Sequence, residues 1–267
     1  MLRNTCTALA AAALASFLAG CEADPALTRD FDELGQAIVN GDLDGRRHPQ
    51  VCALGIPSGE AAQPFYEWCS GTLIAPNVIL TAAHCISYLD ASPELFALCP
   101  PDGTADLDQP WLTGEFIPIP GATSDPAGPL LDTAVFVLDE AVPRARLGIL
   151  PPVGFVGWFY GSRAARQHVL LTNVGFGLRS LDDWETYLPP RMVSHSRVTG
   201  VTVDLLESVP APGGVCFGDS GGPAFLGATP ILAGTTWDGD CETYSNPARN
   251  DRAEVHAFLA QYVWYLR

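Results

Sequence analysis

The stretch Cys216-Phe217-Gly218-Asp219-Ser220-Gly221-Gly222-Pro223 decides how the rest of the sequence is interpreted. Three glycines and an aspartate surround Ser220. This composition suits neither a helix nor a strand, because glycine adopts backbone angles that other residues avoid. A tight loop of this kind can present one hydroxyl group beside N–H groups that stabilise a developing negative charge. Taken alone, however, the stretch is more typical of a surface turn.

Two upstream segments change this interpretation. They are Leu80-Thr81-Ala82-Ala83-His84-Cys85 and Leu131-Asp132-Thr133-Ala134-Val135. A histidine, an aspartate and a serine in this chain order, each in its own distinctive setting, resemble the chymotrypsin-like (trypsin-family) serine proteases. The resemblance covers about residues 38–267, and it implies that His84, Asp132 and Ser220 form a catalytic triad.

The resemblance also implies a role for each of these residues. His84 would take the proton of the Ser220 hydroxyl and pass it to the leaving amine, while Asp132 would hold the imidazole in the required tautomer. The backbone amides of Gly218 and Ser220 would form the oxyanion hole. The remaining histidines lack a comparable setting, so we interpret them as surface or core residues: His48, His168, His195 and His256.

Composition and resemblance both indicate an all-β fold. Only 16% of the 267 residues are charged, while Gly (26) and Pro (23) are frequent, which is typical of a chain with many turns. Strand candidates lie at 51–56, 70–75, 78–80, 93–99, 116–119, 133–138, 169–172, 198–205, 223–226 and 231–237. The resemblance implies two Greek-key six-stranded β-barrels, over about 38–145 and 146–250, which a connection rich in Pro and Gly at 141–157 would join.

A C-terminal helix is expected over about 251–267. Apolar residues recur there at helical spacing, and Asn250 or Asp251 could cap the helix. The family resemblance implies that this helix packs on the second barrel.

The N-terminal residues 1–21 resemble the signal peptide of a bacterial lipoprotein. Arg3 precedes an apolar run at 8–19, and Leu18-Ala19-Gly20-Cys21 resembles the lipobox in which the cysteine is acylated. We therefore expect export to the periplasm or cell surface with a lipid anchor on Cys21. The alternative is an ordinary secretory signal that is cut nearby, with Cys21 incidental. Residues 22–37 are polar and acidic, as in a tether or propeptide.

The segment Ile38-Val39-Asn40-Gly41 resembles the activation site of these proteases. A cut between Ala37 and Ile38 would free an ammonium group that can pair with the buried carboxylate of Asp219 and order the oxyanion loop. The alternative is a first strand that ends in a turn. Cleavage here would also separate a soluble catalytic domain from Cys21.

Eight cysteines support the expected export. Cys6 lies in the signal and Cys21 is the lipid candidate, so six remain for disulfides, which form in oxidising compartments. The family resemblance implies the pairs Cys69–Cys85 and Cys216–Cys241. Cys52 and Cys99 are left to each other.

The specificity pocket departs from the trypsin pattern. The resemblance places Gly214, six residues before Ser220, at the pocket base, where an aspartate would select Arg or Lys. Val215 follows it, and Trp237 and Asp238 would form one wall with Ala248 on the opposite wall. Either Asp238 attracts a basic side chain at the pocket mouth, or it faces solvent and leaves a neutral pocket. We favour the neutral pocket because an exposed charge contributes little in water.

Charge and motif content exclude several other classes. A formal net charge of −16 opposes nucleic-acid binding. The cysteines lack zinc-type spacing and no phosphate-binding glycine loop follows a strand, so we expect neither metal nor cofactor. We expect a monomeric serine endopeptidase that acts on peptides or proteins. The alternatives are a catalytically silent binding protein on the same scaffold, or an esterase with the same triad.

Overall fold

The computed structural model describes residues 41–60, 63–87, 94–104, 109–123, 125, 130–178 and 190–266, with the backbone alone at 57–60, 63–68 and 87. All of them belong to one compact unit, Gln36–Arg267, and the other unit is Met1–Gly35. The expected signal, the tether, Cys21 and Ile38 therefore lie outside the described residues, and the predicted domain boundaries stay predictions. Among the described helices, none combines the length and the apolar character that crossing a membrane requires.

The first sheet contains six antiparallel strands in the order β5-β2-β3-β4-β7-β6. Strand β4 (Val78–Thr81) is short and covered on both faces, so Val78, Ile79 and Leu80 are all buried. The turn at Pro76-Asn77 joins it to the preceding strand, as the sequence predicts. The strands are β2 (Val51–Glu60), β3 (Gln63–Ala75), β4 (Val78–Thr81), β5 (Phe96–Leu98), β6 (Gly114–Pro118) and β7 (Ala134–Leu138).

The second sheet has seven strands where six are expected. Its order is β1-β9-β8-β11-β12-β13, with β10 paired to β9. The additional strand is β1 (Asp42–Leu43), which pairs with Val193 and Met192 at the start of β9. The others are β8 (Leu171–Gly175), β9 (Met192–Val201), β10 (Leu206–Pro210), β11 (Pro223–Leu226), β12 (Leu232–Gly239) and β13 (Ser245–Arg249). The two sheets form half-barrels, so the predicted all-β class is confirmed.

One apolar core joins the two sheets. Val135 from the first sheet and Phe225 from the second belong to the same buried cluster, together with Val255 and Phe258 of the C-terminal helix. This helix, α4 (Ala253–Leu259), is confirmed but shorter than expected, and a 3-10 turn follows it at Trp264–Leu266. The burial of one face of α4 explains its helical spacing of apolar residues.

The cap of α4 differs from the prediction. Arg252 is the N-cap residue and makes no side-chain capping bond. Asp251 instead accepts hydrogen bonds from the amides of Val156 (2.8 Å) and Gly157 (3.1 Å), at the start of a different helix. The carboxylate therefore satisfies N–H groups that a helix start leaves unpaired.

Three further helices were not predicted. α1 (His84–Ser87) is a single turn after β4, while α2 (Phe155–Gly161) and α3 (Arg163–His168) lie in and beyond the Pro/Gly-rich connection. Val156 and Tyr160, one helical turn apart, are buried on one face of α2. Ser162 caps α3 by accepting a hydrogen bond from the amide of Ala165 at 3.1 Å.

A buried ion pair fastens β1 to the second sheet. Arg191, immediately before β9, is fully buried, and its Nε donates to Asp44 Oδ2 at 2.7 Å. Its remaining N–H groups donate to the carbonyls of Gly45, Val51 and Pro100. The buried guanidinium therefore has both an anionic partner and hydrogen bonds to carbonyl groups, as a buried charge requires.

Candidate active site

The register of β4 and β7 brings His84 and Asp132 together. Thr81, the last residue of β4, pairs with Ala134, the first of β7, so the residues just beyond these ends are neighbours. The backbone amide of His84 donates to Asp132 Oδ1 at 2.7 Å, and the imidazole Nδ1 lies 2.6 Å from Asp132 Oδ2. A carboxylate can only accept, so Nδ1 carries the proton and Nε2 is left as an acceptor.

The stretch around Ser220, residues 216–222, is the loop that the sequence predicts, and we call it the nucleophile loop. Gly218 (φ +93°) and Gly221 (φ +79°) have positive φ, a conformation that side chains disfavour. A Cβ atom at Gly221 would lie 2.1 Å from Thr81 Oγ1. The carbonyl of Ser220 accepts a hydrogen bond from the amide of Ser70 at 2.8 Å. Glycine is therefore required where this loop crosses β4.

The Cys69–Cys85 disulfide links the imidazole to the nucleophile loop. One ring nitrogen of His84 and the two sulfurs lie within 4.8 Å of one another, and Cys85 Sγ lies 3.9 Å from the carbonyl oxygen of Ser220. This cluster has the composition of a metal site, but both sulfurs are already bonded to each other. The cluster matters instead for the geometry of the site, because it places His84 and Ser220 against the same disulfide.

Two anchored carbonyls orient the amides of the nucleophile loop. Leu178 N–H donates to the carbonyl of Phe217 at 2.7 Å, and Gly222 N–H donates to the carbonyl of Asp219 at 2.9 Å. A trans peptide points its N–H away from its carbonyl. Within the described residues, the amides of Gly218 and Ser220 donate to no protein acceptor. These two N–H groups could serve an external oxyanion.

Asp219 is buried and hydrogen-bonded to backbone alone in the described part of the chain. Its carboxylate accepts from the amides of Gly177 and Cys216, each at 2.9 Å. Burial raises the pKa of Asp219 to about 7, against the two amide hydrogen bonds, which lower it. A Cβ atom at Gly175 would lie 2.2 Å from Asp219 Oδ1. The glycines of the turn Gly175-Phe176-Gly177 therefore permit the close approach of this carboxylate.

Three disulfides are present among the described residues. They join Cys69 to Cys85, Cys216 to Cys241 and Cys52 to Cys99, the same pairs that the sequence analysis gives. The second fixes the base of the nucleophile loop against the segment after β12. The third connects β2 to the residue after β5.

The expected base of the specificity pocket is narrow and uncharged. Gly214 is buried, and a Cβ atom there would lie 3.1 Å from Pro210 Cγ and 3.2 Å from Ser245 Oγ. Val215 is also buried, and its amide donates to Ser245 Oγ at 3.0 Å. Trp237 is half-buried on β12.

The proposed pocket walls lie on the neighbouring strands β12 and β13. Both oxygens of half-buried Asp238 are engaged: Oδ2 accepts from the Tyr244 hydroxyl at 3.0 Å and Oδ1 from the Gly239 amide at 2.9 Å. The residue opposite Asp238 in the β12–β13 ladder is Asn246, because a register shift follows Thr236. Ala248 pairs instead with Thr235. Sequence reasoning missed Tyr244 and Asn246, and no local motif marks either one.

The comparisons with known proteins agree with this geometry. A family model for Trypsin matches residues 41–95. The chain is 29% identical over 216 residues to chymotrypsin-like elastase family member 1 of Macaca fascicularis, covering 73% of this chain and 76% of the relative. The human protein of the same name is also 29% identical, over 73% of this chain and 78% of its own length.

Solved structures resemble the fold. HL collagenase matches with a TM-score of 0.62 at 20% identity, over 83% of this chain and 96% of the collagenase. HBP matches with a TM-score of 0.60 at 17% identity, over 85% of this chain and 96% of that protein. The chain therefore has the chymotrypsin-like fold. The Trypsin match and the elastase relatives support the resemblance to chymotrypsin-like serine proteases, and the disulfides are typical of extracellular proteins.

Proposed function

We propose that this chain is a serine endopeptidase in which His84, Asp132 and Ser220 act as a triad. One observation carries the proposal. Asp132 holds His84 by two hydrogen bonds, one from the backbone amide and one at Nδ1, which fixes the tautomer in which Nε2 carries the lone pair. The nucleophile loop lies against the disulfide next to that imidazole.

The proposed chemistry follows from these groups. His84 Nε2 takes the proton of the Ser220 hydroxyl as its oxygen attacks the peptide carbonyl. The negative charge that develops on the carbonyl oxygen is stabilised by the amides of Gly218 and Ser220. The imidazolium then protonates the leaving amine, and water hydrolyses the acyl-enzyme by the same steps in reverse order. Asp132 stabilises the imidazolium throughout.

We further propose that the chain is made as a zymogen and activated between Ala37 and Ile38. Asp219 supports this, because a buried carboxyl group with a raised pKa has more to gain from a cation than an exposed one. In the proposal, the new ammonium group of Ile38 supplies that cation and fixes the nucleophile loop. A lipid anchor on Cys21 would hold the uncut monomer at a membrane, and the cut would release it.

The neutral pocket is the preferred specificity. Gly214 and Val215 bring no charge to the proposed pocket base, and both oxygens of Asp238 are already hydrogen-bonded. We therefore propose peptide and protein substrates with a small or medium apolar residue before the scissile bond.

Covalent labelling tests the proposed function. The secreted protein is treated with diisopropyl fluorophosphate, which phosphorylates an activated serine, and the modified peptide and the N-terminal residue are identified by mass spectrometry. We expect one label, at Ser220, on chains that begin at Ile38, and no label in Ser220→Ala or His84→Ala. Ser194→Ala, a buried serine on β9, is the matched control and should label normally. Failure of the cut wild-type chain to label would favour a binding protein on this scaffold.

A further inference from the structure

We propose that Ser70 is a positioning residue for the oxyanion hole, acting through its hydroxyl on the Gly218 peptide. This inference rests on the proposed function and deepens it. Ser70 lies on β3 of the first sheet, is fully buried, and belongs to none of the motifs that identify the triad.

Ser70 contacts three separate parts of the candidate site. Its amide donates to the carbonyl of Ser220 at 2.8 Å, and its carbonyl accepts from Thr81 Oγ1 at 2.9 Å. Its hydroxyl accepts from the amide of Phe176 at 3.0 Å and donates to the carbonyl of Gly218 at 3.0 Å. One residue of the first sheet therefore bonds to the nucleophile loop, to the strand before His84, and to the turn that covers Asp219.

The direction of the hydroxyl bond is determined by its partners. A hydroxyl group has one proton to donate, and the Phe176 N–H can only donate, so the serine proton is directed to the Gly218 carbonyl. The hydroxyl thus transmits a fixed orientation from the 175–177 turn to the peptide between Gly218 and Asp219. The backbone amide of Ser70 cannot do this, because it donates to the carbonyl of Ser220.

The Gly218 peptide needs such an anchor. Glycine populates positive and negative φ about equally, so the φ of +93° at Gly218 depends on what holds its two peptides. Leu178 N–H fixes the Phe217–Gly218 peptide, which carries the Gly218 amide, through the Phe217 carbonyl. The next peptide joins Gly218 to Asp219 and lies between the two peptides that carry the oxyanion donors. Ser70 holds its carbonyl, and its Asp219 N–H donates to the carbonyl of Cys216 at 3.0 Å. Without the Ser70 hydroxyl, this middle peptide keeps only the Cys216 bond among the described residues, so the Gly218 and Ser220 amides on either side of it are less firmly preorganised.

The test compares Ser70→Ala with wild type and with Ser194→Ala. Ser194 is buried on β9 and accepts one hydrogen bond, from Asn173 Nδ2 at 3.5 Å. Ser194→Ala therefore also removes a buried hydroxyl group, but one that does not contact the nucleophile loop. Three quantities are measured on equally processed chains: the rate of labelling by diisopropyl fluorophosphate, kcat and KM for a peptide p-nitroanilide that ends in Ala, and the inhibition constant of the matching peptide aldehyde, which forms a tetrahedral adduct.

We expect Ser70→Ala to lower the labelling rate and kcat about tenfold, less than the roughly 10²–10³ of losing an oxyanion donor outright. KM should stay within about twofold, while the aldehyde should bind about tenfold more weakly, because these interactions strengthen in the transition state. Ser194→Ala should match wild type in all three quantities. A merely structural role would lower the melting temperature and leave kcat of the folded fraction unchanged.

The outcomes separate the two proposals. If wild type labels at Ser220 and Ser70→Ala labels at the same rate, the positioning role is wrong and the triad proposal stands. If wild type does not label, the proposed function fails and the positioning role fails with it. Should Ser70→Ala not fold, Ser70→Gly, which also lacks the hydroxyl, decides by the same measurements.

Discussion

Two buried carboxylates, Asp44 and Asp219, show opposite solutions to the same electrostatic problem. Burial opposes ionisation of Asp44, but the hydrogen bonds and charges of His48 and Arg191 outweigh it and lower its pKa. Asp219 is as deeply buried, and within the described residues its partners are the neutral amides of Gly177 and Cys216. Burial therefore raises its pKa to about 7. In this chain, two amide hydrogen bonds do not offset the effect of burial on the pKa of a carboxylate, whereas partners that include a cation do.

This contrast explains why the two sites would behave differently. Asp44 and Arg191 form a closed structural unit that holds β1 against β9. Asp219 lies directly before Ser220, and its environment favours the arrival of a positive charge. Asp132 is intermediate, because its partner His84 becomes a cation when it takes a proton during the proposed reaction. Substitution of each carboxylate, or of its cation, one at a time would separate these behaviours.

The largest expected effect is on Asp132. In Asp132→Asn, the amide group cannot accept from Nδ1 with the same charge, and it favours the wrong imidazole tautomer. We expect kcat to fall by about 10⁴, as the corresponding change does in the serine-protease triad. The measurement is steady-state hydrolysis of the Ala-terminated p-nitroanilide, with the melting temperature as the control for folding. A loss smaller than about tenfold would contradict the role of Asp132.

The next effect concerns the cation beside Asp44. Arg191→Met leaves the buried carboxylate with His48 and the more exposed Arg47, which lies 3.8 Å from Asp44 Oδ1, and we expect the free energy of unfolding to fall by about 3–5 kcal/mol at neutral pH. Because the pKa of Asp44 is lowered in the folded chain, its stabilisation exists above the unfolded pKa and is lost as the pH falls. The gap between wild type and Arg191→Met should therefore narrow in acid.

Urea unfolding at several pH values measures this gap. Arg197→Met is the matched control, because Arg197 lies on β9, the strand that Arg191 directly precedes, but is exposed and bonds to one carbonyl. It should change stability by less than about 0.5 kcal/mol. Equal effects of the two substitutions would show that Arg191 contributes little through its charge.

The opposite pH dependence is expected at Asp219 in the uncut chain. Its folded pKa of about 7 lies above the ordinary 3.8, so the folded chain keeps a proton that the unfolded chain loses. Stability contributed by this group therefore falls as the pH rises from about 4 to 7, by up to roughly 4 kcal/mol. Asp219→Asn removes this titration, so the uncut variant should gain stability relative to wild type over that range.

Chains that carry Ala37→Pro, which blocks the proposed cut, allow both forms to be compared by urea unfolding. In the cut protein we expect the sign to reverse, because the ammonium group of Ile38 would pair with Asp219 and the substitution would leave that cation unpaired. The same pH profile in cut and uncut protein would contradict the proposed activation.

Local motifs allowed the proposed triad to be selected, since each of its residues belongs to a short pattern with a recognisable order. The end of β4 and the start of β7 carry His84 and Asp132, and ladder pairing then brings them together. Strand positions such as 51–56 and 78–80 were predictable for a similar reason, because a short run of apolar and β-branched residues can be recognised in the local sequence.

Contacts between distant residues could not be predicted in this way. Asp251 satisfies the first amides of α2, 94–95 residues earlier, and the Asp44–Arg191 pair spans 147 residues. A charged residue in a polar context gives no sign of such a partner. Helix α2 was missed because Gly157 and the nearby prolines mimic a loop, while the carboxylate that stabilises its start lies elsewhere in the chain. Helix α3 has a local cap in Ser162, but it is too short to show a helical period in the sequence.

The smallest expected effect is on Asp238, the one carboxylate of this set near the proposed pocket. The Tyr244 hydroxyl and the Gly239 amide already bond to its two oxygens, and the group is half exposed to water, which screens its charge. Such a charge is worth about 0–1 kcal/mol, so Asp238→Gly should change the preference for Arg over Ala or Leu by less than about fivefold.

Tyr244→Phe is the matched variant, because it keeps the charge of Asp238 and removes one hydrogen bond to it. If Asp238 selects basic substrates, Tyr244→Phe should increase the Arg preference and Asp238→Gly should abolish it, as measured by kcat/KM on peptides that differ in that residue alone. If both variants keep the wild-type order, with Ala or Leu preferred, the specificity comes from the uncharged base at Gly214 and Val215.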